Sequence, residues 1–201
     1  MTEGNLSIKR FISPPHENNV YLLIDGNDAA IIDVADSYDD ISNALNETEV
    51  GLKYILVTHG HKSHINSLVN IKKQLGGTIC LHRLDSDLLK EIEGNPEPDM
   101  FIKDNQKLEL GNTVIKVLHT PGHTMGSLCF YVRSANALFT GDTLKKREFG
   151  KIWGPHSMGL MLRSLKRLNS IIPPTTTIYP GHGALTTISD EAWLDALDNL
   201  S

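Results

Sequence analysis

The 201-residue chain is poor in cysteine, in aromatic residues and in long apolar runs. It has two cysteines, 6% aromatic residues and a net charge of −5 at pH 7. Each cysteine lies inside a short apolar run, so we expect two buried free thiols in a cytoplasmic protein and no disulfide framework. No stretch approaches the roughly 18 apolar residues of a membrane span, and residues 1–12 contain no signal-peptide hydrophobic region. A membrane protein is therefore not expected.

Clusters of basic residues are also scarce. The isoelectric point is about 6.0, and the longest run of lysine and arginine is Lys145-Lys146-Arg147. Proteins that bind nucleic acids usually carry a basic face, so no nucleic-acid partner is expected here. The composition does not exclude a local basic patch at this tripeptide.

Strand-like and helix-like segments alternate along a chain that is 40% hydrophobic. Turn signals at Asp25-Gly26-Asn27-Asp28 and at Gly111-Asn112 separate pairs of apolar runs, which predicts hairpins. Helices are expected over residues 65–75 and 191–200, and helical spacing also extends over 83–93. The alternation predicts an α/β chain whose sheets are covered by helices, in one domain over residues 1–201, with sites at strand ends.

Three histidines fall within seven residues, Thr58-His59-Gly60-His61-Lys62-Ser63-His64. They follow the apolar run Tyr54-Ile55-Leu56-Val57, which is typical of a buried strand. His59 and His61 alternate on an extended segment, so both rings can point the same way. Imidazole is a common metal ligand near neutral pH, and three at this density predict a metal site.

Three more candidate ligands follow apolar, strand-like runs. They are His123 in Pro121-Gly122-His123, Asp142 in Gly141-Asp142-Thr143 and His182 in Pro180-Gly181-His182. A glycine lies next to each of them, which lets the backbone turn sharply and approach a metal closely. Each segment alone is weak evidence, but their shared position behind strands makes the set specific.

The pattern His59-Gly60-His61-Lys62-Ser63-His64, followed by His123, Asp142 and His182, resembles the metallo-β-lactamase-fold superfamily. The resemblance implies a four-layer αβ/βα sandwich, with two mixed β-sheets packed face to face between helices and a metal site at one edge. It also implies a first metal on His59, His61 and His123, a second on His64 and His182, and Asp142 as the bridge. One or two Zn²⁺ ions are the expected cofactor, with iron as the alternative, and bound zinc makes hydroxide available near neutral pH.

Ser63 departs from the family's pattern, which has an aspartate at this position. That aspartate normally ligates the second metal and orients the attacking hydroxide, whereas a serine hydroxyl is a neutral and weak ligand. Asp142 then remains as the one carboxylate to balance two dications. We expect the second site to bind metal weakly or to stay empty, and turnover to be lower than in typical relatives.

The stretch from Asp142 to Phe149-Gly150-Lys151 resembles the glyoxalase II branch, which has lysine or arginine there to bind the anionic end of a thioester. The resemblance implies that Lys151 steers an anionic small molecule to the metal, and it makes Asp142 and Lys151 the candidate catalytic residues. A solvated surface lysine is the alternative. That branch also has a C-terminal helical segment that completes its glutathione pocket, whereas this chain ends about 19 residues after His182. We therefore expect a substrate other than hydroxyacylglutathione.

The sequence thus predicts a metal-dependent hydrolase of a small acyl or ester-like substrate, with thioesters and lactones as the leading classes. One alternative is an iron oxidoreductase similar to the persulfide dioxygenases, with His59, His123 and Asp142 as a facial set of ligands. Another is a degenerate relative that binds metal without turnover, which Ser63 alone supports. Substrate identity and oligomeric state stay open.

Overall fold

The computed structural model describes residues 6–14, 17–94 and 96–197. Strands run over Ser7–Ser13 (β1), Asn18–Asp25 (β2), Asp28–Ile32 (β3), Gly51–Leu56 (β4), Thr78–Leu81 (β5), Met100–Phe101 (β6), Lys107–Leu110 (β7), Thr113–His119 (β8), Leu128–Val132 (β9), Ala137–Gly141 (β10), Thr177–Pro180 (β11) and Thr186–Thr187 (β12). Helices run over Tyr38–Thr48 (α1), Lys62–Ile65 (α2), Leu68–Leu75 (α3), Pro155–Ile171 (α4) and Trp193–Ala196 (α5). Arg83–Glu91 and Arg133–Ala135 are 3₁₀ segments.

The described strands form two six-stranded mixed sheets, as predicted. The first has the order β1-β2-β3-β4-β5-β6 and the second the order β12-β11-β10-β9-β8-β7. In the first sheet β1 to β3 pair antiparallel, and β3 to β6 pair parallel. The second sheet is antiparallel except for the parallel pair of β10 and β11.

Three apolar layers hold the sheets and helices together. Tyr21 and Phe139 pack edge to face between the sheets, with ring centroids 5.2 Å apart. The neighbouring Leu22 belongs to the layer that contains Ile41 of α1, on the outer side of the first sheet. Leu165 of α4 lies in the layer that covers the second sheet. Because successive strand residues point to opposite faces, both sheets are covered on both sides, and the fold is a four-layer αβ/βα sandwich.

This topology gathers the loops after several strands at one edge of the sandwich. The Gly181 amide donates to the Gly141 carbonyl at 2.7 Å, which joins the loops after the parallel strands β10 and β11. Across the sheets, the Leu128 amide donates to the Thr58 carbonyl at 2.8 Å. The loops after β3, β4, β8, β10 and β11 therefore meet, and they carry most of the polar residues that the sequence singled out.

Some local predictions were wrong. The helix expected over 65–75 is two helices, α2 and α3, separated by Asn66 and Ser67. The segment with helical spacing at 83–93 is a 3₁₀ segment, and α5 covers only part of the last expected helix, which extends beyond the described residues. The single domain over 1–201 stays a prediction. None of the described helices has the length and hydropathy needed to cross a bilayer.

Candidate metal centre

The centre begins at the carboxyl end of β4, where the chain leaves the first sheet. His59 and His64 are buried, and His61 is half-buried beside them. Gly60 packs against Leu88, where a Cβ would come within 2.6 Å of the leucine Cβ. The close packing explains why a glycine separates the first two histidines.

Two pairs of imidazole nitrogens face each other across a short gap. Nε2 of His123 lies 3.0 Å from Nδ1 of His61, and Nε2 of His64 lies 3.1 Å from Nε2 of His182. Asp142 lies between the two pairs and presents a different carboxylate oxygen to each. Its Oδ2 is 3.7 Å from Nε2 of His123, and its Oδ1 is 3.7 Å from Nε2 of both His64 and His182.

Two buried polar atoms of this cluster have no hydrogen-bond partner among the described residues. They are Nε2 of His59 and Oδ1 of Asp142. Leaving such atoms unsatisfied in a folded interior costs about 1–3 kcal/mol each, so they mark a place for a ligand. The ligand atoms of His59, His61 and His123 lie within 4.8 Å of one another, and so do those of His59, His64 and Asp142. Imidazole and carboxylate donors at these separations fit a divalent metal such as zinc or iron.

Hydrogen bonds behind the rings set which nitrogen of each histidine faces the centre. Nδ1 of His64 donates to Oδ2 of Asp33 at 2.9 Å, and Nδ1 of His123 donates to the Lys151 carbonyl at 3.0 Å. The Thr58 hydroxyl donates to Asp33 and therefore accepts from Nδ1 of His59, at 3.0 Å. In all three rings the lone pair of Nε2 is left to point into the centre.

Asp33 is a functional residue that the sequence reading missed. Its carboxylate accepts from the Thr58 amide and hydroxyl, each at 2.8 Å, and from His64. The residue is 2% exposed and takes a left-handed conformation with φ of 58°. One signal could have found it: Asp33 directly follows the apolar strand β3, as the predicted ligands follow theirs.

Asp85 was also missed, and it joins two loops of the centre without being one of the proposed ligands. The side chain is fully buried and accepts from the amides of Gly60 and Gly126 at 3.0 and 2.7 Å, and from the Thr124 hydroxyl at 2.7 Å. One carboxylate thus ties the loop of His59 and His61 to the loop of His123. Its segment looks like an ordinary polar surface stretch, so the sequence carries no signal for this role.

Two glycines let the backbone approach the ligands. A Cβ at Gly181 would come within 2.7 Å of both Oδ1 of Asp142 and Cε1 of His64, and a Cβ at Gly150 would collide with the Asp142 carbonyl. The Gly150 amide donates to that same carbonyl at 2.7 Å. Any larger residue at either position would push the centre apart.

The electrostatics of the centre favour the neutral form of the imidazoles of His59, His61 and His123. Burial and the neighbouring histidines lower the pKa of His59 well below its usual value, and burial is the main cause of the lowered pKa of His61 and His123. For His64 burial acts in the same direction, but the hydrogen bond and charge of Asp33 outweigh it and raise the pKa. Neutral imidazole is the form that binds metals.

Lys151 contributes to the centre through its main chain. Its carbonyl accepts from His123, while its ammonium lies 4.3 Å from the ring centroid of Trp153, in a cation–π contact. The Trp153 indole N–H donates to the His123 carbonyl at 3.0 Å, so this aromatic ring is fixed beside the centre. Ser63 lies half-buried in α2, one residue before His64.

The structure brings together all six residues predicted as ligands, and their assignment to metals stays a prediction. His182 lies on a loop that β2 holds in place, because the side-chain amide of Asn19 donates to the carbonyls of Pro180 and Gly183 at 2.8 and 3.0 Å. The cysteines lie elsewhere in the core: burial raises the pKa of Cys80 to about 12 and that of Cys129 to about 11. Neither thiol is a nucleophile at this site.

Several known proteins resemble this chain in sequence and in fold. Residues 13–182 match the model of the Metallo-beta-lactamase superfamily. A hydroxyacylglutathione hydrolase of Pelagibacter ubique (strain HTCC1062) is 34% identical over 169 residues, which make up 83% of this chain and 66% of that relative. The crystal structure of BLEG-1 B3 metallo-beta-lactamase superposes with a TM-score of 0.81 at 26% identity, over 92% of this chain and 96% of the other. TTHA1623 in a di-iron-bound form superposes with a TM-score of 0.80 at 29% identity, over the same shares.

The chain therefore belongs to the metallo-beta-lactamase superfamily, and the predicted fold is confirmed. It spans 66% of the length of the hydroxyacylglutathione hydrolase that it matches.

Proposed function

We propose that this chain is a metal-dependent hydrolase of a small acyl substrate, a thioester or a lactone. In this proposal His59, His61 and His123 hold a first metal, His64 and His182 contribute to a second, and Asp142 serves both. The names of the superfamily and of the glyoxalase II-like relative support a hydrolase. The di-iron-bound form of TTHA1623 supports iron as an alternative to zinc.

One observation carries the proposal. Asp142 has one oxygen 3.7 Å from His123 and the other 3.7 Å from His64 and His182, between two pairs of facing imidazole nitrogens. A carboxylate in this position can serve two ligand sets at once. A divalent metal bound there supplies a Lewis acid for the carbonyl oxygen and lowers the pKa of water to about 7.

The chain's own residues keep the ligands in position. Asp33 fixes Thr58 and His64, and Asp85 fixes the loops on both sides of the first ligand set. These hydrogen bonds hold the side chains in place without a metal or substrate, which is the property expected of a preorganised site. Loops that are fixed in this way support the interpretation of the histidine cluster as a catalytic site.

Ser63 lowers the negative charge available to the proposed second metal site. With a neutral hydroxyl in place of the family's aspartate, Asp142 is the one carboxylate among the proposed ligands. We expect a weaker second site and slower turnover than in relatives with two carboxylates. We also propose that the substrate is anionic, with Lys151 as one candidate for its recognition.

Metal content and hydrolysis test the function together. The chain is purified without added metal, reconstituted separately with zinc and with iron, and analysed for metal per chain. Both forms are then assayed on a panel of thioesters and lactones. His61→Ala is expected to lower both metal content and hydrolysis by at least about 100-fold, because it removes a first-set ligand. His156→Ala, at an exposed position of α4, is the matched control and should change neither.

Three results would count against the proposal. Reconstituted protein that cleaves nothing on the panel would favour a metal-binding relative without turnover. One iron per chain with oxygen uptake on glutathione persulfide would favour the oxidoreductase alternative. Full activity in His61→Ala would show that the cluster is not the active site.

A further inference from the structure

Exposed apolar side chains at the metal edge belong to the centre already described. Leu84 and Met125 line a groove beside the first ligand set and are 56% and 44% exposed. The Leu84 amide donates to Nδ1 of His82 at 3.3 Å, and Nε2 of His119 donates to the Met125 carbonyl at 2.9 Å. The rings of these two histidines stack, with centroids 4.1 Å apart. This groove is part of the metal centre and not a separate site.

A separate cavity of about 460 Å³ lies on the outer face of the second sheet. Residues of β7, β8 and β9 line one side of it, and Ile171 and Ile172, at the end of α4, line the other. The first residue of α4 follows closely after Trp153, whose indole is bonded to the His123 carbonyl at the metal centre. A helix of 17 residues spans about 25 Å. The cavity at its last residue is therefore remote from the metal centre.

The cavity exists because α4 covers only part of the sheet. On the outer face of β8, exposure increases away from the metal centre: Leu118 is buried, Lys116 is half-buried, and Val114 is 45% exposed. On β9, Tyr131 is buried, and the exposed Arg133 follows the end of the strand. Because alternate residues of a strand point to the same face, the side chains of β8 share one surface. The uncovered end of that surface is the floor of the cavity.

Three cations line the cavity, and no described acidic residue lines it. Lys107 and Lys116 occupy directly opposed positions in the antiparallel pair of β7 and β8, and Arg133 is the third cation. Like charges in opposed positions destabilise a sheet. None of the three forms an ion pair with a described residue. Glu109, the next outward residue of β7, lies opposite Val114 and outside the lining. The cavity thus lacks a counter-charge.

The opposite side of the cavity is apolar. Ile171 is 46% exposed, whereas its neighbour Ile172 is buried at the end of α4, and Leu118 and Tyr131 continue the apolar lining between the strands and this helix. The carboxyl end of a helix carries partial negative charge, so an anion is disfavoured beside Ile171 and favoured beside the lysines. Apolar walls with a few charged groups, in a volume of about 300–1,000 Å³, are typical of small-molecule sites.

From these features we infer a second binding site, for a small organic anion with an apolar portion, such as a medium-chain monocarboxylate. The anionic group lies against Lys107 and Lys116, and the apolar portion lies against Ile171 and Tyr131. Protection of a sheet edge from aggregation explains a lysine on β7, but Lys116 lies on the neighbouring inner strand. The site requires no metal and is independent of the proposed hydrolysis.

Isothermal titration with alkyl probes tests the chemistry of the site. Octanoate, hexanoate, neutral 1-octanol and cationic octylammonium are compared on the zinc-loaded chain. Full burial of two methylenes would tighten binding roughly 15-fold, but the cavity is open to solvent, so we expect octanoate to bind about fivefold more tightly than hexanoate. We expect 1-octanol to bind about tenfold more weakly than octanoate, because it offers no charge to the lysines. Octylammonium should not bind measurably.

The same titration of the metal-free chain separates this site from the metal centre, because carboxylates also bind metals. Octanoate should bind equally well with and without zinc. Binding that requires zinc would assign the anion to the metal ligands and overturn the inference.

A double variant, Lys107→Gln with Lys116→Gln, tests the cationic side. We expect about tenfold weaker octanoate binding with a smaller salt dependence, and unchanged binding of 1-octanol. The matched control, Lys73→Gln with Lys103→Gln, removes the same charge from exposed positions elsewhere and should change little. Equal octanoate affinity in the two double variants would overturn the inference.

A pair of variants on α4 tests the apolar side. Ile171→Ser should weaken octanoate binding about threefold, because it removes an apolar contact at the cavity. Met158→Ser is the matched control, since Met158 is an exposed apolar residue near the other end of the same helix. It should leave the affinity intact, and a loss as large as that of Ile171→Ser would contradict the proposed location.

Other occupants of this face give different results. A chain that ignores octanoate but sediments with phosphatidylglycerol vesicles would use the cations against a membrane surface. A dimer in sedimentation analysis that Ile171→Ser dissociates would show that a second copy covers the face. Either result overturns the inference. Failure of the hydrolysis assays would leave it standing, because octanoate binding does not depend on turnover.

Discussion

The buried carboxylate of Asp85 offers the sharpest test of how the centre is held together. Asp85→Ala leaves the amides of Gly60 and Gly126 and the Thr124 hydroxyl without their acceptor. Hydrogen bonds to a charged group contribute about 1.5–3 kcal/mol each, or roughly 4–9 kcal/mol for three. Removing a buried charge recovers part of this. We therefore expect the free energy of unfolding to fall by about 3–5 kcal/mol.

Urea unfolding of the metal-free chain measures this loss without any contribution from metal binding. Asp87→Ala is the matched control, because Asp87 lies two residues away, is 86% exposed, and pairs with Lys90 on the surface. That variant should leave the free energy of unfolding nearly unchanged, because an exposed ion pair contributes little to stability. If Asp85→Ala also loses less than about 1 kcal/mol, the carboxylate does not hold these loops, and the argument for a preorganised centre fails with it.

Three further predictions address the ligands and the thiols. Asp33→Ala should lower zinc affinity about 10–100-fold, measured by competition with a chelator, because Thr58 and His64 lose the group that orients them; unchanged affinity would contradict this role. Ser63→Asp should raise the second metal's occupancy in elemental analysis and increase turnover, and no change in either would show that Ser63 does not limit the site. Cys80 and Cys129 should stay unreactive toward a thiol reagent at pH 8 until the chain unfolds, because burial raises both pKa values to about 12 and 11; rapid labelling of the native chain would refute their placement.

Much of the fold was predictable because its signals are local. The hairpin of β2 and β3 follows from the turn at Asp25-Gly26-Asn27-Asp28, and β9 and β10 are apolar runs. The edge strand β1 was missed because Ser7–Ser13 mixes polar and apolar residues, and the structure leaves four of the seven half-buried and two exposed. At the break between α2 and α3, the Ser67 amide donates to the carbonyl of Val34, 33 residues earlier in the chain, at 3.0 Å. No periodicity encodes that contact.

In the candidate site, too, some residues could be predicted from the sequence and others could not. The six proposed ligands became candidates because their segments follow strands, and the resemblance to the family assigned them to metals. Asp33 also ends a strand and could have been found by the same rule. Asp85 could not, because its three partners lie 25, 39 and 41 residues away and meet it only in the folded chain. The supporting groups of a metal site are set by tertiary contacts that a single sequence does not display.

The attachment of Leu84 and Met125 has an evolutionary consequence. Both are anchored through main-chain atoms to the stacked pair of His82 and His119, and their side chains add little to the core. Substitutions at these two positions can alter the exposed surface while leaving the scaffold intact. A lineage, or a directed-evolution library, could therefore diversify both positions at small cost in stability.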